Sequence, residues 1–205
     1  VGKLAPLASA RLGRLGSTID TVERVTAAAL GRRRERPRLG GALARGEPRG
    51  LAVYPEEIGY VQRIDIVGLQ GLAERYGRHI TVAALPGTFA TPDRPLAFVS
   101  DLYDGRGGKV DSEAVCDAFL IGPDRDFADD PRFGLVVLSE IASRALSPAV
   151  NDPGTAIDVI GSLVRLLATW AGAPEDSDRD TQYDRVAVPE IALQDMFDDA
   201  FHAIA

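Results

Sequence analysis

Residues 144–155 read Arg-Ala-Leu-Ser-Pro-Ala-Val-Asn-Asp-Pro-Gly-Thr, and this stretch, here called the corner, carries the signals that end one helix and begin another. Asp152 followed by Pro153 predicts a helix N-terminus, because aspartate accepts hydrogen bonds from unpaired N–H groups and proline is tolerated at the first helical position. The turn at 147–151 is short, so the two helices that it joins are expected to pack as a hairpin.

Apolar residues recur at helical spacing on both sides of this turn. Residues 133–146 carry one apolar stripe and residues 157–170 carry another. The dipeptide Asp130-Pro131 repeats the Asp-Pro signal, so the first helix of the hairpin is expected to begin there with Asp130 as its cap.

The chain before the hairpin is rich in strand signals. A helix over 67–76, ended by Gly77 as a left-handed cap, is expected to interrupt these strands. The strands are predicted over 51–54, 59–65, 79–85 and 94–100. The remaining expected elements are loops at 101–108 and 175–180, helices over 110–121 and 190–205, and a strand over 186–188.

These patterns predict an α+β fold: a small β-rich subdomain with an inserted helix, followed by a mainly helical subdomain built on the hairpin. Residues 1–50 are expected to form an N-terminal helix over 17–30, ended by Gly31, and a basic juxtamembrane linker. The β-rich subdomain is predicted at 51–108. The helical subdomain is predicted at 109–205 and is expected to be truncated at its C-terminus, since no capping signal closes the last helix.

Charge is distributed unevenly along the 205 residues. Residues 1–50 hold eleven Lys/Arg and four Asp/Glu, whereas residues 51–205 hold twelve and 26. A basic arm therefore precedes an acidic body that repels nucleic acid, and no nucleic-acid partner is expected. The chain has no run of about 18 apolar residues, so no membrane span is predicted within it. Both ends look cut, as in an excerpt of a longer protein.

The strongest basic run, Arg-Arg-Arg-Glu-Arg-Pro-Arg at 32–38, admits two interpretations. It is either a solvated connector or a segment beside anionic phospholipid headgroups, where each Lys or Arg contributes about 1 kcal/mol. Only the second interpretation makes it a functional element.

Several kinds of chemistry are disfavoured by the residues available. One cysteine, Cys116, and two histidines, His79 and His202, give no metal-ligand cluster. The acidic run 124–130 lacks the spacing of an EF-hand loop, and it is instead expected to provide Asp130 as a helix cap, with Arg125 or Arg132 as ion-pair partners. No histidine lies near Ser147 in the sequence and no nucleophile-elbow motif surrounds it. No catalytic residue, metal or cofactor is therefore predicted.

The corner is the one candidate binding site. Its structural interpretation is a proline-fixed turn held by capping hydrogen bonds, with Arg144 and Asp152 favoured by the helix dipoles. Its functional interpretation is a ligand or ion site, because helix N-termini attract anions and oxygens of Ser147, Asn151 and Asp152 converge there. The candidate ligand-binding residues are Arg144, Ser147, Asn151, Asp152 and Thr155.

Several phrases together resemble a bacterial family of predicted membrane proteins, domain of unknown function 2254. They are Gly59-Tyr-Val-Gln-Arg-Ile-Asp65, Pro86-Gly-Thr-Phe89 with Pro95-Leu-Ala97, Asp130-Pro-Arg-Phe-Gly134 and Ile141-Ala-Ser-Arg-Ala-Leu-Ser-Pro-Ala-Val-Asn-Asp-Pro-Gly-Thr-Ala156. The resemblance covers about residues 15–205. It implies a polytopic inner-membrane protein whose hydrophobic N-terminal helices precede this part of the chain, and it implies no established activity.

The expected function is therefore the soluble, cytoplasmic domain of an integral membrane protein. The basic arm supports that side of the membrane independently, since positive charge beside a span favours the cytoplasm. Assembly as a homo-oligomer and regulation of a channel or transporter are expected with it. The alternative is an enzyme or a small-ligand sensor with its site at the corner.

Overall fold

The computed structural model of the protein describes residues 5–101, 111–172 and 181–204. Its helices are α1 (Ala5–Glu35), α2 (Ile66–Tyr76), α3 (Ser112–Cys116), α4 (Phe133–Leu146), α5 (Pro153–Ala171) and α6 (Leu193–Phe201). Its strands are β1 (Gly41–Leu43), β2 (Leu51–Val53), β3 (Gly59–Ile64), β4 (Arg78–Val82), β5 (Phe89–Ala90), β6 (Ala97–Asp101), β7 (Phe119–Gly122) and β8 (Tyr183–Val188). The predicted α+β class is confirmed.

The chain divides into two compact units, each assembled from separate segments. The first comprises Val1–Gly31, Pro131–Ala173 and Ala192–Ala205, and the second comprises Arg32–Asp130 and Pro174–Ile191. The subdomain boundaries expected at 50/51 and 108/109 stay a prediction.

The second unit is built on two sheets. The larger has the strand order β1-β8-β4-β6-β2, with β8 parallel to both its neighbours and the other pairs antiparallel. The smaller sheet is antiparallel in the order β5-β3-β7. Helix α2 packs on β4 and β8, capped by Asp65 at its start and by Gly77, at φ 60°, at its end. The predicted helix over 67–76 is thus confirmed.

The first unit is helical. Helices α4 and α5 pack against each other on either side of the corner, as predicted, and α6 packs against both. Its fully buried side chains include Leu30, Leu135, Leu138, Leu163 and Met196. Gly134 of α4 lies so close to Thr26 of α1 that a Cβ there would overlap the threonine hydroxyl.

Three predicted elements are wrong in part because tertiary contacts override local signals. Helix α1 continues through Gly31 to Glu35, since an internal glycine costs a helix only about 1 kcal/mol. The expected linker contains β1, which pairs with β8. Residues 119–122 form β7 against β3 instead of extending a helix, because pairing with β3 satisfies their backbone groups.

Two details of the hairpin also differ from expectation. Helix α4 begins at Phe133 without a side-chain cap, so Asp130 does not cap it. In α5, Leu163 and Leu167 are buried as the spacing suggests, but Ile157 and Val164 are exposed because the helix is apolar on both faces. The predicted loop at 101–108, beyond Asp101, and the loop at 175–180 lie outside the described residues.

Candidate functional site

The corner is closed by its own backbone and hydroxyl hydrogen bonds. The Arg144 carbonyl oxygen accepts from Ser147 N at 3.2 Å and from Ser147 Oγ at 2.7 Å. Asn151 N donates to Ser147 O at 2.9 Å, and Asp152 N donates to Ala145 O at 2.8 Å. Asn151 reaches this position in the left-handed region, at φ 48°, which asparagine tolerates better than most residues. The turn therefore ends α4 and sets the direction in which the chain enters α5.

Asp152 is the N-cap of α5, as predicted, and Pro153 is its first residue. One Asp152 carboxylate oxygen accepts from Thr155 N at 3.2 Å, and the other accepts from Thr155 Oγ1 at 2.7 Å. These hydrogen bonds favour the charged carboxylate, and the Thr155 hydroxyl contributes most to lowering the pKa of Asp152. Thr155 itself is buried.

The five predicted site residues thus divide into two groups. Asp152 and Thr155 contact each other and cap α5, while the Ser147 hydroxyl bonds the end of α4. The side chains of Arg144 and Asn151 are exposed to solvent. Capping accounts for the first group without a ligand, and ligand binding by the five stays a prediction.

Arg33, Arg125 and Asp130 form a buried charge cluster. Arg125 is one of the two ion-pair partners expected for the acidic run 124–130, and this pairing is confirmed, whereas the sequence did not indicate that Arg33 joins the cluster or that Asp130 is buried. Arg125 Nε donates to Asp130 Oδ2 at 2.6 Å, and the Asp130 side chain is only 1% exposed. Arg33 Nη2 donates to the Asp129 carbonyl at 3.3 Å. Burial lowers the pKa of Arg33 to about 10, while Asp129 and Asp130 oppose that shift. The cluster ties the end of α1 to the segment that precedes α4.

Gly87 explains how a carboxylate fits into this cluster. It adopts φ 92°, and a Cβ at this position would collide with the Asp130 carboxylate. The turn at Pro86-Gly87 therefore makes room for a buried ion. Within the sequence, only the absence of a side chain at Gly87 could have signalled this role.

Several arginines of the basic run make contacts within the protein, which leaves fewer of them to interact with phospholipid. Arg33 and Arg38 are buried. Arg38 Nε donates to Gly41 O at 3.3 Å and its Nη1 lies 3.1 Å from Glu190 Oε1. The exposed arginines of the basic arm, among the described side chains, are Arg24, Arg32, Arg36, Arg45 and Arg49. Among the described side chains of the arm, these five are the most accessible to an anionic surface.

The second unit also contains an acidic cleft of about 520 Å³. Its carboxylates come from separate elements and are those of Glu56, Glu57, Asp65, Glu113 and Asp117. Within the described ranges, no three His, Cys, Asp or Glu side chains are arranged to hold a metal ion. Cys116, which also lines the cleft, donates to Tyr54 O at 3.0 Å. Burial, followed by nearby carboxylates, raises the pKa of the Cys116 thiol, which makes it a weak nucleophile.

A groove of about 530 Å³ between α4 and α6 brings Ser139, His202 and two aspartates into one lining. This combination superficially suggests a serine hydrolase. However, Ser139 Oγ is buried and has no hydrogen-bond partner among the described residues, so it is not hydrogen-bonded to His202 as an activated nucleophile would be. One of the aspartates, Asp199, already binds Arg132 Nε. The groove therefore lacks an organised nucleophile.

Residues 8–205 match the family described as "Predicted membrane protein (DUF2254)". The chain belongs to this family. It is 32% identical over 126 residues to an uncharacterized protein of Mycobacterium bovis, and 32% and 47% identical over 126 residues to uncharacterized proteins of two strains of Mycobacterium tuberculosis. Each match covers 60% of this chain and 24% of the relative. The matched region is about a quarter of the length of these relatives, and no solved structure matches.

The family description associates the protein with membranes. Within the described residues, α5 is the one helix with the length and composition of a membrane span, and 39% of it is buried in the protein. A single helix of this kind is weak evidence for a span, because a core helix of a soluble protein has the same properties. In this chain one face of α5 packs into the first unit through Val159, Leu163 and Leu166.

Proposed function

We propose that this chain is the cytoplasmic, water-exposed part of a bacterial inner-membrane protein, and that it assembles or regulates a channel or transporter formed by that protein. The observation that carries the proposal is the family match over residues 8–205, together with a chain that covers only a quarter of its relatives. The two units have buried cores of their own, which is typical of a domain that folds in water.

The cytoplasmic side is supported by the exposed part of the basic arm. Arg36, Arg45 and Arg49 are solvent-exposed and precede an acidic body. Positive charge close to a membrane span favours the cytoplasmic side, and exposed arginines are attracted to anionic lipid there.

The corner supports a structural role more than catalysis. Its Ser147, Asp152 and Thr155 side chains are engaged in capping, which fixes the angle between two helices. A ligand sensor at the corner remains the second candidate, because Arg144 and Asn151 present exposed polar side chains beside a helix N-terminus.

Location is tested with the full-length protein in its own host. In a parent without other cysteines, Arg45→Cys places a thiol at an exposed position, and a membrane-impermeant maleimide is applied to intact and to lysed cells. The expected result is recovery in the membrane fraction with labelling only after lysis. Labelling of intact cells would refute the proposed cytoplasmic location. Recovery in the soluble fraction would refute the proposal that the protein is an integral membrane protein.

The second candidate is tested by Asn151→Gly and Arg144→Ala, which leave the capping bonds intact, and glycine also keeps the left-handed backbone at position 151. If the corner only joins the helices, both variants keep their function in cells and melt close to the wild type. Loss of function in a folded, membrane-located variant would favour a ligand site.

A further inference from the structure

The outward face of α5 carries an uncharged seam that the fold leaves exposed. The buried residues of α5 lie on the opposite side of the helix. At about 100° per residue, the seam occupies an arc of only about 100°. Its residues, which alternate at steps of three and four, are Gly154, Ile157, Gly161, Val164, Ala168 and Ala171.

The large residues of this seam are far more exposed than core positions. Ile157 is 68% exposed and Val164 is 54% exposed, and Ile160 beside them is 37% exposed. Apolar residues at alternating steps of three and four form the contact line between two packed helices. We infer that α5 pairs with α5 of a second copy of this chain, antiparallel, through this seam.

Steric complementarity favours the antiparallel register. When Ile157 faces Ala168 of the partner subunit, Val164 faces Gly161 of the partner subunit in the same register. Each large side chain then meets a small one, and the layers fill evenly. A parallel pair would instead place Ile157 against Ile157 of the partner subunit and glycine against glycine, which alternates crowded layers with empty ones.

Charge complementarity points the same way. Asp158 and Arg165 flank the seam on one side and are both exposed. The antiparallel register brings Asp158 near Arg165 of the partner subunit, and the symmetric contact repeats this pair. Arg165 already binds Glu23 through Nε and Nη2, at 2.7 Å each. Its Nη1 points along the helix towards Gly161, at the edge of the seam, where the second carboxylate would approach.

The inference rests on the proposed function, because two helices alone bury less than the roughly 800 Å² per partner of a standard interface. Attachment of both copies to one membrane raises their effective concentration, which lets a small contact persist. Pairing is therefore expected in the membrane-bound, full-length protein.

The test uses disulfide cross-linking of the full-length protein in its own membranes, in a parent without other cysteines. Val164→Cys lies near the middle of the antiparallel seam and should cross-link to itself at least tenfold more than Thr169→Cys, a matched exposed position on another face of α5. Ile157→Cys should not cross-link to itself but should do so with a co-expressed Ala168→Cys chain. Self-cross-linking of both Ile157→Cys and Val164→Cys would overturn the antiparallel register.

Two further results separate the inference from the proposed function. Absence of cross-links in a membrane-located protein overturns the pairing and leaves the location intact, whereas recovery in the soluble fraction overturns the proposed function. Quenching of a fluorophore on Val164→Cys by nitroxide lipids would show that lipid covers the seam and would also overturn the pairing. Ile157→Glu should weaken pairing at least tenfold without changing the melting temperature, because the side chain is exposed.

Discussion

The buried charge cluster gives the sharpest prediction about stability. In Asp130→Asn the shape of the side chain is kept, but the carboxylate that Arg125 binds at 2.6 Å and that opposes the desolvation of Arg33 is lost. Removing one partner of a buried ion pair costs about 3–5 kcal/mol, because a buried charge is left uncompensated. For a chain of this size each kcal/mol lowers the melting temperature by about 2–4 °C. The expected decrease is therefore roughly 6–20 °C.

The assay is thermal unfolding followed by circular dichroism, with Asp124→Asn as the control. Asp124 lies in the same segment, undergoes the same chemical change and is exposed, so its effect should stay within about 0.5 kcal/mol. The double variant Asp130→Asn with Arg33→Met should be more stable than the sum of the single effects predicts, because the uncompensated cation is removed with the anion. A melting temperature of Asp130→Asn equal to that of the control would refute the reasoning.

Three further predictions concern single contacts. Because the folded-state pKa of Asp152 is lowered, its cap contributes stability above the ordinary value of 3.8 and loses it as the pH falls through the folded pKa; the melting difference between wild type and Asp152→Ala should shrink in acid, and a constant difference would contradict this. Gly134→Ala should destabilise by about 1–3 kcal/mol in urea unfolding despite its better helix propensity, and Thr26→Ala should relieve it; a stabilised Gly134→Ala would show that α1 and α4 are not in close contact. The Cys116 thiol should react with iodoacetamide at pH 8 more slowly in the folded protein than in urea; equal rates would contradict its raised pKa.

The sequence predicted correctly those helix ends that depend only on neighbouring residues. Gly77 ends α2 in the left-handed region and Asp152 caps α5, since both effects depend on residues within one turn. The Asp-Pro signal failed at Asp130 because its carboxylate binds Arg125, five residues earlier, instead of capping α4; the ion pair was expected, but its competition with the cap was not. An aspartate before a proline can serve either as a helix cap or as an ion-pair partner, and the sequence alone does not distinguish these two roles.

The remaining elements could not be predicted because they depend on pairing between residues that are distant in the sequence. Residues 119–122 form a strand too short for its period to distinguish it from a helix, and β1 has a partner about 140 residues away. Both interpretations of the arginine run, a solvated connector or a segment beside phospholipid, kept its side chains at the surface. Arg33 and Arg38 are nevertheless buried, because distant segments supply carbonyl groups and carboxylates to them. In the candidate site, the corner's capping bonds and the Arg125–Asp130 ion pair were predictable, whereas the approach of Arg33 to that pair and the acidic cleft depend on elements that the sequence alone does not bring together.

The position of β8 has a consequence for synthesis on the ribosome. This strand lies between β1 and β4, although it is translated long after both. If translation proceeds at about 5–20 residues per second, roughly 7–28 s pass between the synthesis of β1 and that of its neighbour β8. During that interval the nascent polypeptide presents unpaired strand edges, to which chaperones can bind. A message interrupted before the codon for Tyr183 yields a product in which no strand joins β1 to β4.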